Sequence, residues 1–150
     1  GRMLSYTSIP QQNNTATATP TQVYTFTKWD ANGNAIEGTL TTPHSEALVY
    51  QEFDKQNRRT LLKMLTKADP PIQIYVALRY DREGRVVERR IREGYTPPQT
   101  LRYTYDKQGN NIGINDQKFE HTFDKQGNWL TRTIFVKGNI VGYVEREINY

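Results

Sequence analysis

Tyr103-Thr104-Tyr105-Asp106-Lys107-Gln108-Gly109-Asn110 is echoed eighteen residues later by His121-Thr122-Phe123-Asp124-Lys125-Gln126-Gly127-Asn128. Looser copies lie upstream at Trp29-Asp30…Gly33-Asn34, Phe53-Asp54…Asn57-Arg58 and Tyr80-Asp81…Gly84-Arg85. Each has an aromatic residue, then aspartate, then glycine or asparagine three positions on. The five aspartates are 24, 27, 25 and 18 residues apart, so the chain reads as an array of small units.

The shared motif has the chemistry of a β-turn. Aspartate at the first position accepts a hydrogen bond from the backbone two residues on, and glycine at the fourth takes a positive φ. A type I turn closed by a left-handed residue is a common three-residue hairpin loop. Asn57 stands where the other units have Gly33, Gly84, Gly109 and Gly127, and asparagine is the usual substitute for glycine in that conformation. A catalytic motif has no reason to accept that exchange. Asp30, Asp54, Asp81, Asp106 and Asp124 are therefore read as turn formers.

The flanks alternate as strands do. Ile74–Tyr80, Leu101–Tyr105 and Phe119–Phe123 precede turns, and Trp129–Val136 follows the last one; all are rich in β-branched and aromatic residues. A three-residue loop places Phe123 opposite Trp129 and Tyr105 opposite Asn111. Simple alternation along Trp129–Val136 then sets Leu130, Ile134 and Val136 on the face opposite Trp129. A second kind of turn joins one unit to the next. Pro70-Pro71 begins 16 residues after Asp54, and Pro97-Pro98 begins 16 residues after Asp81. Proline cannot donate to a ladder, so each pair marks a strand end. Pro43 takes that place in the first unit and Lys137-Gly138-Asn139 in the last. Residues 45–67 are the ambiguous stretch. Leu61, Leu62, Met64 and Leu65 fit one face of a helix, while the Asp54-to-Pro70 register favours strand.

The 150 residues suffice for one domain. Hydrophobic residues make up 35% of them, and exchanging the ten tyrosines for the ten glycines leaves that share unchanged, against ~45–50% in ordinary globular domains. Two tryptophans, ten tyrosines and five phenylalanines partly compensate, each able to bury ~150–250 Å². A thin core with one wet face is expected. The chain has no cysteine, which removes disulfides and thiolate metal sites. No apolar run approaches the ~18 residues of a membrane-spanning helix. Gly1-Arg2-Met3 reads as a junction rather than a natural start, so a mature fragment is expected. Residues 8–22 are Ser, Pro, Gln, Asn, Thr and Ala with one isoleucine, too polar to order themselves; residues 1–22 are read as a flexible tether and 23–150 as the repeat domain. Such tethers are frequent after the export signals of envelope proteins and also between any two domains; export is the reading favoured here.

In its spacing and residues, the motif resembles the YD repeat of the Rhs family. The resemblance is clearest at 103–110 and 121–129, covers residues 23–136, and extends to Glu147-Ile148-Asn149-Tyr150 as the first half of a sixth unit. It implies a bacterial surface or secreted protein built of β-hairpins. Long members spiral into a hollow shell around a toxin or effector, for which five units are too few; short exported members also occur. The aspartates and glycines that match the motif are turn formers in that family too.

Several constellations invite a functional reading. The five aspartates supply one carboxylate per unit and lack the pattern of an oxygen-ligand calcium loop, so no metal or cofactor is expected. Arg79, Arg82, Arg85, Arg89, Arg90 and Arg92 crowd one hairpin, and the chain carries a formal charge of +4 with a pI near 9.3. Glu83, Glu88 and Glu93 interleave with them, which favours a cross-strand salt lattice and disfavours nucleic acid. Arg79 and Arg89 remain candidates for attracting an anionic envelope polymer. His44 and His121 are 77 residues apart, and no nucleophile, base or paired carboxylate set stands out; no catalytic residue is assigned. The remaining candidates are the rings of Tyr103, Tyr105, Trp129 and Phe135, which alternation alone assigns equally to the core or to a wet sheet face; on a wet face they are flat surfaces able to stack on sugar or peptide.

The sequence thus predicts an all-β fold, an antiparallel meander of about ten strands in repeated hairpins. Its twisted sheet is expected to curl toward a half-barrel or barrel. Lys67, Pro70 and Pro71 are expected to guard sheet edges. The functional expectation is a non-enzymatic exported module, in the periplasm, anchored to the outer membrane or on the cell surface as a lipoprotein would be. It would bind an envelope polysaccharide or a surface protein. The alternative is a structural segment of a larger Rhs-like shell with no ligand of its own.

Overall fold

The computed structural model describes the backbone of residues 5–8 and all of residues 22–148. The strands are β1 (Ser5–Ser8), β2 (Gln22–Trp29), β3 (Ala35–Thr41), β4 (Glu46–Phe53), β5 (Arg59–Thr66) and β6 (Gln73–Tyr80). They continue as β7 (Val86–Glu93), β8 (Gln99–Tyr105), β9 (Asn111–Ile114), β10 (Gln117–Phe123), β11 (Trp129–Val136) and β12 (Asn139–Glu145). Sheet order follows chain order from β1 to β12, an all-β antiparallel meander. No pair joins β1 to β12 among the described residues, so the sheet is not closed into a barrel. No described helix is long and apolar enough to cross a membrane. The ambiguous stretch 45–67 is a hairpin, β4 and β5, with Val49 opposite Met64 and Leu48 opposite Leu65. Its apolar residues occupy both faces of a strand, which mimics a helical stripe.

Of the 1–22 segment read as a tether, Ser5–Ser8 is strand β1, with Thr7 opposite Val23, and Gln22 opens β2. The rest of it, Gly1-Arg2-Met3 included, lies outside the described residues, as do Asn149 and Tyr150 of the apparent sixth unit. Glu147 and Ile148 follow β12 and are not in a strand.

All five aspartate motifs are hairpin turns of one design. The aspartate N–H donates to the carbonyl four residues on, at 2.9–3.0 Å, and the fourth-position N–H donates back to the aspartate carbonyl. The aspartate Oδ1 also accepts the N–H of the residue four on: Asn34, Arg58, Arg85, Asn110 or Asn128. Its Oδ2 accepts that same residue's side chain. The fourth position is left-handed throughout: φ is 83° at Gly33, 59° at Asn57, 84° at Gly84, 91° at Gly109 and 84° at Gly127. Gly127 has no atom within 4 Å of where a Cβ would stand, so a side chain there meets only backbone strain. Gly127→Val is expected to cost about 1–2 kcal/mol more than Gly84→Asn, because a β-branched residue tolerates this φ far worse than asparagine. Thermal melts of the two variants check it; equal midpoints would contradict the turn geometry.

The proline-marked connections also stand between strands. Pro43 lies between β3 and β4, Pro70-Pro71 between β5 and β6, Pro97-Pro98 at the entry to β8, and Lys137-Gly138 between β11 and β12. Unmarked in the sequence reading is Asn115-Asp116, which joins β9 to β10 with Asn115 at φ 54°. With β9 only four residues long, it accounts for the short last spacing of eighteen.

A second device repeats beside the turns. Phe53 faces Arg59 but Glu52 faces Leu61; Tyr105 faces Asn111 but Thr104 faces Gly113; Phe123 faces Trp129 but Thr122 faces Thr131. One residue of the return strand is therefore skipped each time: Thr60, Ile112 and Leu130. Ile36 is skipped likewise in the first hairpin. These are β-bulges six residues after the aspartate, and each reverses the parity of the strand beyond it.

The described residues fall into two compact units, one of those up to Arg79 with Arg89–Thr100 and one of Tyr80–Glu88 with those from Leu101 onward. In the first, β4 alternates strictly: Ala47, Val49 and Gln51 are buried while Leu48 and Tyr50 are exposed. Gln51 is satisfied in place, donating to Ala35 O at 3.2 Å and accepting from Arg59 at 3.1 Å. In the second, Phe119 is the buried anchor. No described side chain is fully buried, so the thin core expected from composition is what forms. Edge protection is not where the sequence placed it. Lys67, Pro70 and Pro71 sit in the β5–β6 connection, whereas the terminal strand β12 carries exposed Ile140, Val141, Tyr143 and Val144.

Candidate functional site

The aromatic face of the second unit is set by register. Phe119, His121 and Phe123 alternate along β10, and their partners on β11 are Ile134, Arg132 and Trp129. Tyr103 faces Ile114, which faces Gln117, so Tyr103 and Tyr105 share this side. Phe135 faces Lys118 and lies on the other. The bulge at Leu130 is the reason: it returns Arg132, Ile134 and Val136 to the face of Trp129. The proposed ring stripe therefore holds Tyr103, Tyr105 and Trp129 but not Phe135, and Ile134 joins Trp129 instead of opposing it.

On this face the rings are unequal. Phe119 is 5% exposed and serves as core, whereas Phe123 is 41% exposed. The Tyr105 hydroxyl donates to Val86 O at 2.9 Å, and the Arg85 guanidinium lies 5.0 Å from its ring centre. Tyr105 is thus tied down rather than presented. Trp129 is covered too, by the guanidiniums of Arg146 at 4.2 Å and Arg132 at 4.9 Å from its ring. Such contacts are worth roughly 0.5–1 kcal/mol each where exposed.

Both arginines are also fixed by hydrogen bonds. Arg146 Nε donates to Trp129 O at 2.8 Å, and the Arg146 N–H donates to Leu130 O at 3.0 Å. Arg132 Nε donates to His121 Nε2 at 3.1 Å and lies over Phe119 at 5.3 Å. Accepting that bond requires a neutral imidazole with its proton on Nδ1. Burial and then the Arg132 charge push His121 below its ordinary 6.5, with Asp106 opposing. His121 also touches Trp129, at 6.2 Å between ring centres.

Other candidates fall elsewhere. Arg79 and Arg89 are exposed residues of the first unit. In the arginine-rich hairpin Arg85 pairs within its own turn with Asp81 at 2.7 Å and Glu83 at 3.2 Å, and Glu88 pairs across strands with Arg102 of β8 at 3.3 Å. Arg85 also donates to Asp106 O, linking one turn to the next. The turn aspartates spend their oxygens on backbone N–H groups and the side chain four residues on, and no metal-holding group of three or more His, Asp or Glu side chains occurs among the described residues. The first unit has an open depression floored by Leu48 and Leu65, with Tyr50 and Lys63 beside them. Its Glu37 pairs with Lys28 at 2.9 Å, and the Lys63 ammonium lies 5.5 Å from the centre of the Tyr50 ring.

Arg132, Arg146, His121 and Phe123 were not singled out from sequence as a group. Arg146 lies 17 residues from Trp129 and meets it only because β12 pairs with β11. No family model matches the chain, and no curated protein matches it.

Proposed function

We propose that this chain is a non-enzymatic, exported repeat module of the YD-repeat, Rhs-like kind that binds a cell-envelope ligand or a partner protein through the aromatic face of its second unit. The observation that carries the reading is the Trp129 cluster: a half-buried indole, an exposed Phe123 and two ring-stacked guanidiniums on one sheet face. Aromatic rings and arginines fixed before a ligand arrives lose little side-chain entropy on binding, which is why both dominate binding hot spots. The repeated aspartate turn supports the family, and the polar segment before β2 supports export. A non-enzymatic role is supported by how the polar groups are used: the aspartates hold turns, and His121 Nε2 accepts from Arg132.

A binding screen of the chain against envelope polysaccharides and surface-protein fractions tests this. Saturable binding that Trp129→Ala weakens at least about tenfold is expected, since that change removes the platform of both guanidiniums. Equal affinity of variant and parent would place the site elsewhere.

One observation favours a second reading, a structural segment of a larger shell without a ligand of its own. Ile140, Val141, Tyr143 and Val144 leave β12 apolar on both faces, as suits a strand waiting for the next hairpin. The intact mass of the native protein separates the two: a mass many times 17.5 kDa favours the shell segment, and one close to it the module.

A further inference from the structure

We infer that Asn32 is a site of spontaneous modification, its side-chain amide converting to aspartyl and isoaspartyl forms, and that the isoaspartyl form opens the first hairpin turn while leaving the other four closed. Asparagine is a thermally labile residue, and it is most so where the following backbone nitrogen is uncrowded and can reach its side-chain carbonyl. The chain has eleven asparagines, and Asn32 alone precedes a glycine. It is exposed at the tip of the hairpin between β2 and β3. No atom lies within 4 Å of where a Cβ on Gly33 would stand, so nothing crowds the Gly33 nitrogen.

The Asn32 amide is also idle. Its backbone N–H donates to Asp30 Oδ1 at 2.9 Å, but its side chain makes no hydrogen bond among the described residues. Most other described asparagines are held. Asn34, Asn110 and Asn128 donate their amides to the turn aspartates. Asn57, Asn111 and Asn115 accept through Oδ1 from Asn34, the Gly113 N–H and the Arg102 N–H. Asn139 precedes the β-branched Ile140, which crowds the attacking nitrogen. At the place of Asn32 the other turns carry Gln56, Glu83, Gln108 and Gln126, whose extra methylene makes the ring larger and slower to close.

The chemistry needs only water and hydroxide. The Gly33 nitrogen gives its proton to hydroxide and bonds to Asn32 Cγ, and the amide nitrogen leaves as ammonia, giving a cyclic imide. Water then opens either side of the ring. Breaking the new bond gives aspartate; breaking the original peptide bond gives isoaspartate, with one extra methylene in the main chain. Attack waits for the Gly33 N–H to leave Asp30 O, which it contacts at 3.1 Å, so opening of this exposed turn sets the pace. The longer backbone cannot restore that bond together with the Asn34 N–H to Asp30 Oδ1 bond of 2.9 Å. The Asn34 amide is then no longer held for Asn57 Oδ1, 3.0 Å away in the second turn.

Peptide-resolved mass spectrometry of the full chain, aged at pH 7 and pH 9, tests this. A gain of about one dalton at Asn32 is expected, faster at pH 9, with isoaspartate detected by enzymatic methylation of its carboxyl group. Hydrogen exchange of the aged chain should show Gly33 and Asn34 losing protection while Asn57, Gly84, Gly109 and Gly127 keep theirs. Asn32→Gln should neither convert nor lose protection, and the same residue in three sibling turns shows that the fold accepts it. Asn32→Glu adds the charge without lengthening the backbone and should stay protected, as Glu83 leaves its own turn closed. An unmodified Asn32 after the chain held in urea has converted, or a gain that falls on another described asparagine instead, overturns the site. Parent-like protection in the converted chain, or an equal loss in Asn32→Glu, overturns the opening of the turn by its lengthened backbone.

Discussion

Gly38→Ala is expected to lower stability by about 3 kcal/mol or more, enough to unfold a domain with so thin a core, and Gly38→Val to do worse. Gly38 faces Val49 on one side and Phe26 on the other, in the middle of β3. A Cβ at this position would overlap Thr25 O and stand 2.9 Å from both Phe26 Cα and a carbon of the Phe26 ring. Two of those three atoms are backbone, so no rotamer change relieves them; β2 must move away from β3. The ring of Phe26 fills the space that a side chain on Gly38 would take, and the close approach of the strands depends on it. The contrast with Gly127 separates two uses of glycine. At Gly127 the cost is the left-handed φ of 84° with open space around it; at Gly38 it is contact alone. Shaving the ring in a Gly38→Ala/Phe26→Leu double variant should therefore restore little. Urea unfolding followed by circular dichroism measures all three, and a Gly38→Ala midpoint equal to the parent's would disprove the close-approach account.

This contrast also marks what could be read from sequence. The aspartate turns were legible because everything they need is local: a carboxylate, the N–H groups up to four residues on, and a residue that accepts positive φ. The pairs Phe123–Trp129 and Tyr105–Asn111 followed from loop length for the same reason. The bulges at Ile36, Thr60, Ile112 and Leu130 were not legible, since a skipped residue exists only relative to a partner strand. That one omission moved Phe135 off the aromatic face and put Ile134 on it. The arginine cluster was hidden more deeply. Arg132 gains its position from the bulge and Arg146 from the pairing of β12, so neither spacing to Trp129 carries a local meaning. Gly38 looked like any strand residue, and only its neighbour across the ladder explains it.

Acid should unfold the protein in two stages, and the turn aspartates make the second the larger. Asp30 and Asp106 have carboxyl groups held below the usual 3.8, chiefly by the side-chain amides of Asn34 and Asn110 and then by backbone N–H groups. At Asp54 and Asp81 partial burial acts upward, but the backbone and guanidinium hydrogen bonds of Arg58 and Arg85 outweigh it. A carboxyl that releases its proton more readily when folded leaves the unfolded chain with more bound protons in that range. Its stabilising contribution is complete above 3.8 and is lost as pH falls through the lower folded value. Four such groups in four hairpins lose it over the same window, so their effects accumulate. His121 acts earlier by the same logic. Its folded imidazole is held neutral below 6.5, chiefly by burial and then by Arg132, so the unfolded chain protonates first. Stability is full above 6.5 and declines as pH drops from there toward the folded value. Protonation also removes the lone pair that accepts from Arg132 Nε. Urea midpoints measured from pH 8 to pH 2.5 should therefore show a plateau, a shallow decline below 6.5 and a steep one below 3.8. His121→Gln should remove the shallow decline, and Asp106→Asn should reduce the steep one while lowering the plateau. A parent profile level down to pH 3 would mean that the carboxylates do not carry the turns, and a shallow decline unchanged in His121→Gln would assign that stage to another group.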